Sequence, residues 1–476
     1  MKRGDEIIID VTALSTEGKG ISKTDEGFVI FSEKTLPGDR VKLKINKCKK
    51  SYAEATPIEF IIDSEFRVKP LCEHFGTCGG CKIQSYDYNK QLEFKTQAVI
   101  NAFERIGDFK NLTIPQTLKS DEIFFYRNKM EFSFSEDIWR EKADMESTEK
   151  FGLGLHVPGF HSKILNIERC YLLSELSNSV LNFTRGFFKG MEASIYSTKT
   201  HSGFLRFLII RESKNTKDIM VNLVTYDYDK EIMKDYSQEI SQRFPQITTL
   251  VNSFSQKKAQ IAFGEDSNNL FGKGYIYEYL NNGEKDLAFK ISPNSFFQTN
   301  TKQAEKLFKI ATDFLDLKTS DNVLDLYCGT GSISLFISEK VKSVTGVELI
   351  SDAIENAKEN AKLNKIKNTD FVLSDIKDFF ETINDSKKYI NYNKVILDPP
   401  RSGLHPDICK ILSESNFEKI CYISCNPVTQ ARDLKMICEK GNYIVEKVQP
   451  VDMFPHTYHI ENVISLKNNS KNKNTV

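Results

Sequence analysis

The sequence has no net charge. Its 65 lysines and arginines balance 65 aspartates and glutamates over 476 residues, so no global basic field draws in a polyanion. A local basic patch is still enough to bind nucleic acid. Also missing is any apolar run long enough to cross a bilayer, and no membrane partner is expected. The opening residues, MKRGDEIIID, lack the long apolar core of a secretory signal. The expected location is the cytoplasm. Cysteine, by contrast, is not scarce: there are ten, and three crowd between positions 72 and 81. In a reducing compartment that crowding favours a metal or cluster over disulfides. The length points to about two to four domains, and 40% hydrophobic content suffices for real cores.

Residues 1–60 read as short strands, EIIIDV, GFVIFS, DRVKLKIN and AEATPIEF, with Gly18, Gly20, Gly27, Pro37 and Gly38 at the turns. Val41, Leu43 and Ile45 alternate with Lys42 and Lys44, the period of a half-buried strand. This predicts a small all-β barrel with a lysine-bearing face, continued by Lys47, Lys49 and Lys50. Such a face is either simply solvated or tracks phosphates. With EGKG and LPGD, the segment resembles a TRAM domain, an OB-like RNA-binding barrel.

Residues 61–290 open with the cysteines and a helical stretch, YNKQLEFKTQAVINAFERIG. The runs MEFSFS, FGLGLHV, FLRFLIIRE and IMVNLVTY follow, giving an α+β domain. In residues 291–466 the apolar strands VLDLY, SVTGVE, FVLSD, KVILD and CYISC alternate with helical segments. That pattern predicts an α/β fold with a doubly wound, mostly parallel sheet. Residues 467–476 are polar and expected to be disordered.

In DLYCGTGSISL, Asp325 closes an apolar run, and Gly329 and Gly331 precede a helical pattern. Glycines let the backbone approach a ligand, and the helix N-terminus adds donors. A Gly-rich turn alone is a weak signal. The next strand ends at Glu348, where a carboxylate can accept from both ribose hydroxyls. The third ends at Asp375, a candidate partner for an adenine amine. The loop is D-x-x-C-G-T-G, not G-x-G-x-x-G, and it resembles motif I of class I S-adenosylmethionine-dependent methyltransferases.

KVILDPPR places Asp398 at the fourth strand end, and KICYISCNP places Cys425 just past the fifth. FPHTYHIEN adds Glu461. Amino-methyltransferases carry a related D/N-P-P motif followed by an aromatic residue that stacks on the base. Here Arg401 stands in that place, so the platform is missing. Pyrimidine C5 poses a different problem, because uracil C5 is too weakly nucleophilic to take a methyl group directly. Thiolate addition to C6 makes C5 enolate-like, after which a base removes the C5 proton. Cys425 and Glu461 meet that need, with Asp398 as neighbour.

DLYCGTG, DPPR, SCNP and FPHTYHIEN together resemble the RNA uracil-C5-methyltransferase family, over nearly the whole chain. The resemblance implies a nucleophile at Cys425 and a proton-abstracting base at Glu461. It implies S-adenosylmethionine contacts at Gln298, Tyr327, Glu348 and Asp398. A cysteine at a strand end is ordinarily a small buried hydrophobe, and Cys328, Cys409, Cys421 and Cys438 are read that way. Cys425 escapes that reading because Asn426 and Pro427 turn the chain at the expected site. His456 and His459 are candidates to orient Glu461 or the uracil, set against plain loop histidines.

CEHFGTCGGC supplies Cys72, Cys78 and Cys81, with Gly79 and Gly80 allowing tight wrapping. A fourth ligand is Cys170, with His74 as the alternative. Spacing leaves zinc and a 4Fe-4S cluster both open. The resemblance to the 23S ribosomal RNA branch, which carries a TRAM domain and four cysteines, selects 4Fe-4S with Cys170. The expected enzyme is a monomer acting on a loop or flipped-out uridine of RNA. Transfer RNA is the alternative substrate, and a non-catalytic RNA-binding iron–sulfur protein the alternative class. DNA is not expected, since Arg401 follows Pro400 where DNA cytosine enzymes carry Pro-Cys.

Overall fold

A computed structural model describes residues 1–140, 148–385 and 392–469. No helix among these is long and apolar enough to cross a membrane. From position 470 the tail expected to be disordered lies outside the described residues, while Lys467 and Asn468 still belong to the last strand.

The N-terminal unit is a single six-stranded sheet between positions 6 and 62. Its first strand pairs with Arg40–Cys48 and also lies against the third, so the sheet curls round a small core. Val41, Leu43 and Ile45 fill that core, as their alternation predicts. The lysine face is partly neutralised: Lys42 pairs with Glu6 at 2.7 Å and Lys47 with Glu54 at 3.9 Å. Lys44, Lys49 and Lys50 are exposed.

The central unit holds a seven-stranded mixed sheet, to which the four predicted runs contribute Lys129–Ser135, Gly152–Val157, Leu205–Glu212 and Ile219–Thr225. Helices Glu175–Gly190 and Lys230–Arg243 bury Phe188, Tyr236 and Ile240 against it. Two of its neighbours in sequence pack elsewhere. Helix α1 (Tyr88–Arg105) places Val99, Ala102 and Phe103 in the C-terminal core beside Ile437 and Val448. The hairpin Ile276–Asn281 with Asp286–Ile291 packs Leu280 and Phe289 against Leu307 and Phe308 of the same half. The boundary expected at 290/291 therefore falls inside a strand.

The C-terminal sheet has seven strands: β1 (Asn322–Leu326), β2 (Ser343–Glu348), β3 (Thr369–Leu373), β4 (Lys394–Leu397), β5 (Lys419–Ser424), β6 (Tyr443–Val451) and β7 (Glu461–Asn468). Their order is β3-β2-β1-β4-β5-β7-β6. The first five run parallel, and β7 is antiparallel to both neighbours. Val323, Leu324, Val395, Ile396 and Leu397 are fully buried, as expected of parallel strands covered on both faces. The winding reverses between β1 and β4. Such a switch point opens a crevice beyond the carboxyl ends of the strands.

Candidate active site

That crevice holds a cavity of about 1640 Å³, more than one small ligand needs. Four of the parallel strands each deliver an acid or thiol to it: Glu348 at the end of β2, Asp375 after β3, Asp398 after β4 and Cys425 after β5. Tyr327 and Gly329 enter after β1, Glu461 at the start of β7, and Gln298 from the segment before helix Thr301–Leu315. Of the residues singled out in the sequence for this site, Gly331 and His456 do not line it.

The turn after β1 is tightly wound. Tyr327 adopts a left-handed conformation at φ 64°, and its N–H and that of Cys328 both donate to Val347 O, at 3.0 and 3.1 Å. A non-glycine residue held there marks a backbone fixed by its surroundings. Gly329 N–H donates to Glu348 Oε2 at 3.1 Å, while Oε1 accepts from Leu349 and Ile350 N–H at 2.8 and 3.0 Å. Glu348 is thereby locked in place, with further acceptor capacity toward the cavity. Gly331 has φ 78°, and a Cβ there would lie 2.9 Å from Phe371 Cζ, so its role is to let the helix start close to β3. Asp375 sits exposed at the rim, where its Oδ1 takes Lys377 N–H at 2.8 Å.

Below this turn, Asp325 is fully buried. Its Oδ2 accepts from Ser334 Oγ at 2.5 Å, but Oδ1 has no hydrogen-bond partner among the described residues. Burial pushes its carboxyl up to about 7.

Register brings the thiol and its carboxylate together. Ser424 of β5 pairs with Asn462 of β7. Cys425, one residue on, thus faces Glu461, one residue back. Asn426 caps the helix Pro427–Cys438 through Val428 N–H at 3.1 Å, and Pro427 starts it. The strand therefore ends at the thiol. Asn426 Nδ2 and Thr429 Oγ1 donate to Arg401 O at 3.2 and 3.3 Å, pinning the DPPR turn beside the SCNP turn. β4 pairs with β5, so Asp398 is the neighbour expected from strand order.

The local electrostatics disfavour ionisation. Glu461 is buried, and burial, then Asp398, push its carboxyl well above the usual range. Asp398 opens partly onto the cavity, yet the surrounding protein raises it to about 7. Burial pushes the Cys425 thiol up to about 11, with Glu461 and Asp398 adding to the effect and Arg401 opposing it.

The two histidines separate. His459 lines the cavity, and burial with nearby Arg401 lowers its imidazole to about 4, so it is neutral at pH 7. His456 does not line it. It is buried at φ 67°, its backbone N–H donating to Gln91 Oε1 at 2.9 Å and its ring tilted against Phe124 with 4.5 Å between centroids. Cys328, Cys409 and Cys421 are buried as read, and Cys438 is half-buried. Sequence reasoning missed the walls supplied from a distance, Arg127 and Phe263. No motif marks them, because folding alone brings them there.

The remaining cysteines gather at a second cavity of about 290 Å³, lined by Cys72, Cys78, Cys81 and Cys170. Gly80, Arg127 and Thr457 line both cavities, so the two share a wall. Burial raises all four thiols, Cys170 to about 11. Gly80 N–H points at Cys78 Sγ at 3.3 Å and Gln84 Nε2 at Cys81 Sγ at 3.6 Å. His74 lies on the same wall, but its Nε2 accepts from Glu168 N–H at 3.3 Å. Among the described residues no three His, Cys, Asp or Glu side chains converge on a point that could hold a single metal ion.

The family model for tRNA (uracil-5-)-methyltransferase matches residues 208–469, and that for the TRAM domain matches residues 1–58. An uncharacterized RNA methyltransferase of Bacteroides thetaiotaomicron is 39% identical over 95% of this chain and 100% of its own length. Another, of Chlorobaculum tepidum, is 39% identical over 97% of this chain and 96% of its own. Among solved structures, the Pyrococcus abyssi tRNA (uracil-54, C5)-methyltransferase, in complex with S-adenosyl-L-homocysteine, superposes with a TM-score of 0.74 at 27% identity. That match covers 97% of this chain and 100% of the other.

Proposed function

The chain belongs to the tRNA (uracil-5-)-methyltransferase family, and from that premise we propose that it methylates C5 of a uridine in 23S ribosomal RNA through a covalent adduct on Cys425. The observation that carries this reading is the β5–β7 register, which sets the Cys425 thiol opposite Glu461. Glu348 sits three strands away along the same sheet edge, roughly 14 Å at the usual strand spacing. The span between them is where a cofactor and a base would meet.

S-adenosylmethionine, when bound, supplies an electrophilic methyl group and a positive charge that offsets repulsion among the site's acids. Glu348 would hold the ribose diol, and Gln298, Tyr327, Gly329 and Asp398 would line the rest. Asp375 would meet the adenine amine at the rim. Cys425 Sγ, as the thiolate, bonds to C6, and the C5=C6 pair shifts toward the C4 carbonyl oxygen. C5 then takes the methyl group, whose former bonding pair stays with the cofactor's sulfur. The Glu461 carboxylate accepts the C5 proton; the freed pair re-forms C5=C6 and expels the Cys425 thiolate. His459, neutral at pH 7, is positioned to donate to or accept from the uracil edge.

Ribosomal RNA is favoured by the TRAM match at residues 1–58 together with the four-cysteine cavity. Transfer RNA is the second reading, because the Pyrococcus abyssi enzyme acts on tRNA uracil-54. Mapping 5-methyluridine in total RNA from a deletion strain separates the two. Loss from 23S RNA supports the first reading and loss from transfer RNA the second. If neither RNA loses the base, both fail.

We assign the second cavity to a 4Fe-4S cluster held by Cys72, Cys78, Cys81 and Cys170. Four thiols on one wall, with N–H groups aimed at two sulfurs, suit such a cluster. One tetrahedral zinc would draw the sulfurs to about 3.8 Å from one another, given Zn–S bonds of about 2.3 Å. Protein handled aerobically should be brown with broad visible absorbance. Colourless protein carrying one zinc per chain would overturn the assignment.

A further inference from the structure

The loop at residues 452–460 carries Phe454, Thr457 and His459 to the cavity and leads directly into Glu461. It has no helix or strand of its own. What fixes it comes from far away in sequence. Lys95 Nζ of α1 meets Asp452 Oδ1 at 2.5 Å, with both side chains fully buried. Lys95 Nζ also donates to Phe454 O at 3.1 Å. Tyr88 donates its hydroxyl to Asp452 Oδ2 at 2.8 Å while accepting Ser120 N–H at 2.9 Å. Asp452 Oδ1 further accepts Phe454 N–H at 3.2 Å.

Tyr88, Gln91 and Lys95 lie three and four residues apart, so they form one stripe on α1. Gln91 and Lys95 are completely buried. The whole stripe points at this one loop. Gln91 grips His456, Tyr88 and Lys95 grip Asp452, and Lys95 reaches Phe454.

A buried ion pair is a poor way to gain stability. Desolvating two charges roughly cancels their attraction, and well-packed apolar side chains commonly do as well or better. Its distinctive property is directional: it admits one geometry and penalises the others. We propose that Lys95, Asp452 and Tyr88 are positioning residues, a brace that fixes the 452–460 loop and through it the placement of Glu461 and His459 against Cys425. What the loop serves rests on the functional reading above; that the loop is held by this brace does not.

The test is the double variant Lys95→Met/Asp452→Asn, which removes both charges and keeps one acceptor oxygen, available to Phe454 N–H or to Tyr88. Its melting temperature should stay close to that of the wild type, because no lone charge is left buried. Hydrogen exchange across 452–460 should accelerate about tenfold with the rest of the chain unchanged. With RNA, kcat should fall by at least about tenfold while KM for S-adenosylmethionine stays put, since small misplacement of reacting groups is costly. A folded double variant with wild-type exchange over the loop and wild-type kcat overturns the proposal. If the double variant does not fold, Tyr88→Phe replaces it: exchange over 452–460 should still rise about threefold, and no change overturns the proposal. A wild-type enzyme inactive on every RNA sinks the functional reading alone, and the exchange data still decide on the brace.

Discussion

Cys425, the proposed nucleophile, sits in surroundings that hold its proton on. Its thiol sits near 11 and the Glu461 carboxyl well above its usual range. Both groups must lose a proton to act, and both do so more readily as pH rises. His459, near 4, stays neutral throughout. The expected pH profile of kcat/KM therefore climbs from pH 6 to 8.5, by at most about tenfold per unit while a single deprotonation limits the rate. A profile that declines above pH 7 would contradict the assignment of these roles. Cys425→Ala should abolish methylation and leave S-adenosylmethionine affinity unchanged by calorimetry. Glu461→Gln should trap a methylated RNA adduct, seen as a band that survives denaturing electrophoresis. Absence of that band would move the base elsewhere. At this scale the sequence was highly legible, because the acids and the thiol sit at the ends of apolar runs. The raised acidity constants were not legible, since they arise from burial and from neighbours that only the sheet brings together.

At the scale of elements, the parallel strands were readable because burial on both faces leaves continuous apolar runs such as KVIL and KICYIS. β6 gave no such signal. It is an edge strand with Glu446, Lys447 and Pro450 and a register shift between Val445 and Lys447, and proline within a sheet is confined to edges and bulges. α1 read correctly as a helix, but its partners lie in β6 and the helix Pro427–Cys438, which no local pattern reveals. The turn between β1 and the following helix is the element most sensitive to a single atom. Gly331→Ala would place a Cβ in a left-handed backbone and against Phe371, costing about 1–2 kcal/mol for the conformation alone. S-adenosylmethionine affinity should weaken by about tenfold for each 1.4 kcal/mol passed to the site. RNA binding, measured separately, should be unaffected.

Over the whole molecule, charge is balanced, so RNA contact depends on local surface. Lys42 and Lys47 are paired with acids, which leaves Lys44, Lys49 and Lys50 as the cations of the N-terminal sheet best placed to meet phosphates. Replacing these three with alanine should weaken RNA binding evenly across sequences. The slope of log affinity against log salt should fall by up to about 2, given about 0.7 per phosphate contact on single strands. An unchanged slope would return that face to a plain solvated one.

The docking of α1 sets a schedule. Its apolar face emerges from the ribosome early, yet Ile437 and Val448, which cover it, follow about 340 residues later. At about 5–20 residues per second that wait is roughly 17–70 s. Throughout it, Val99 and Phe103 stay uncovered by their final partners, and Lys95 has no counter-charge. A chain that stops short of β6 therefore loses more than its last strands: it strands a helix made near the start, with a bare ammonium on its inner side. Quality control would meet such truncated chains as exposed apolar surface rather than as a shortened but tidy enzyme.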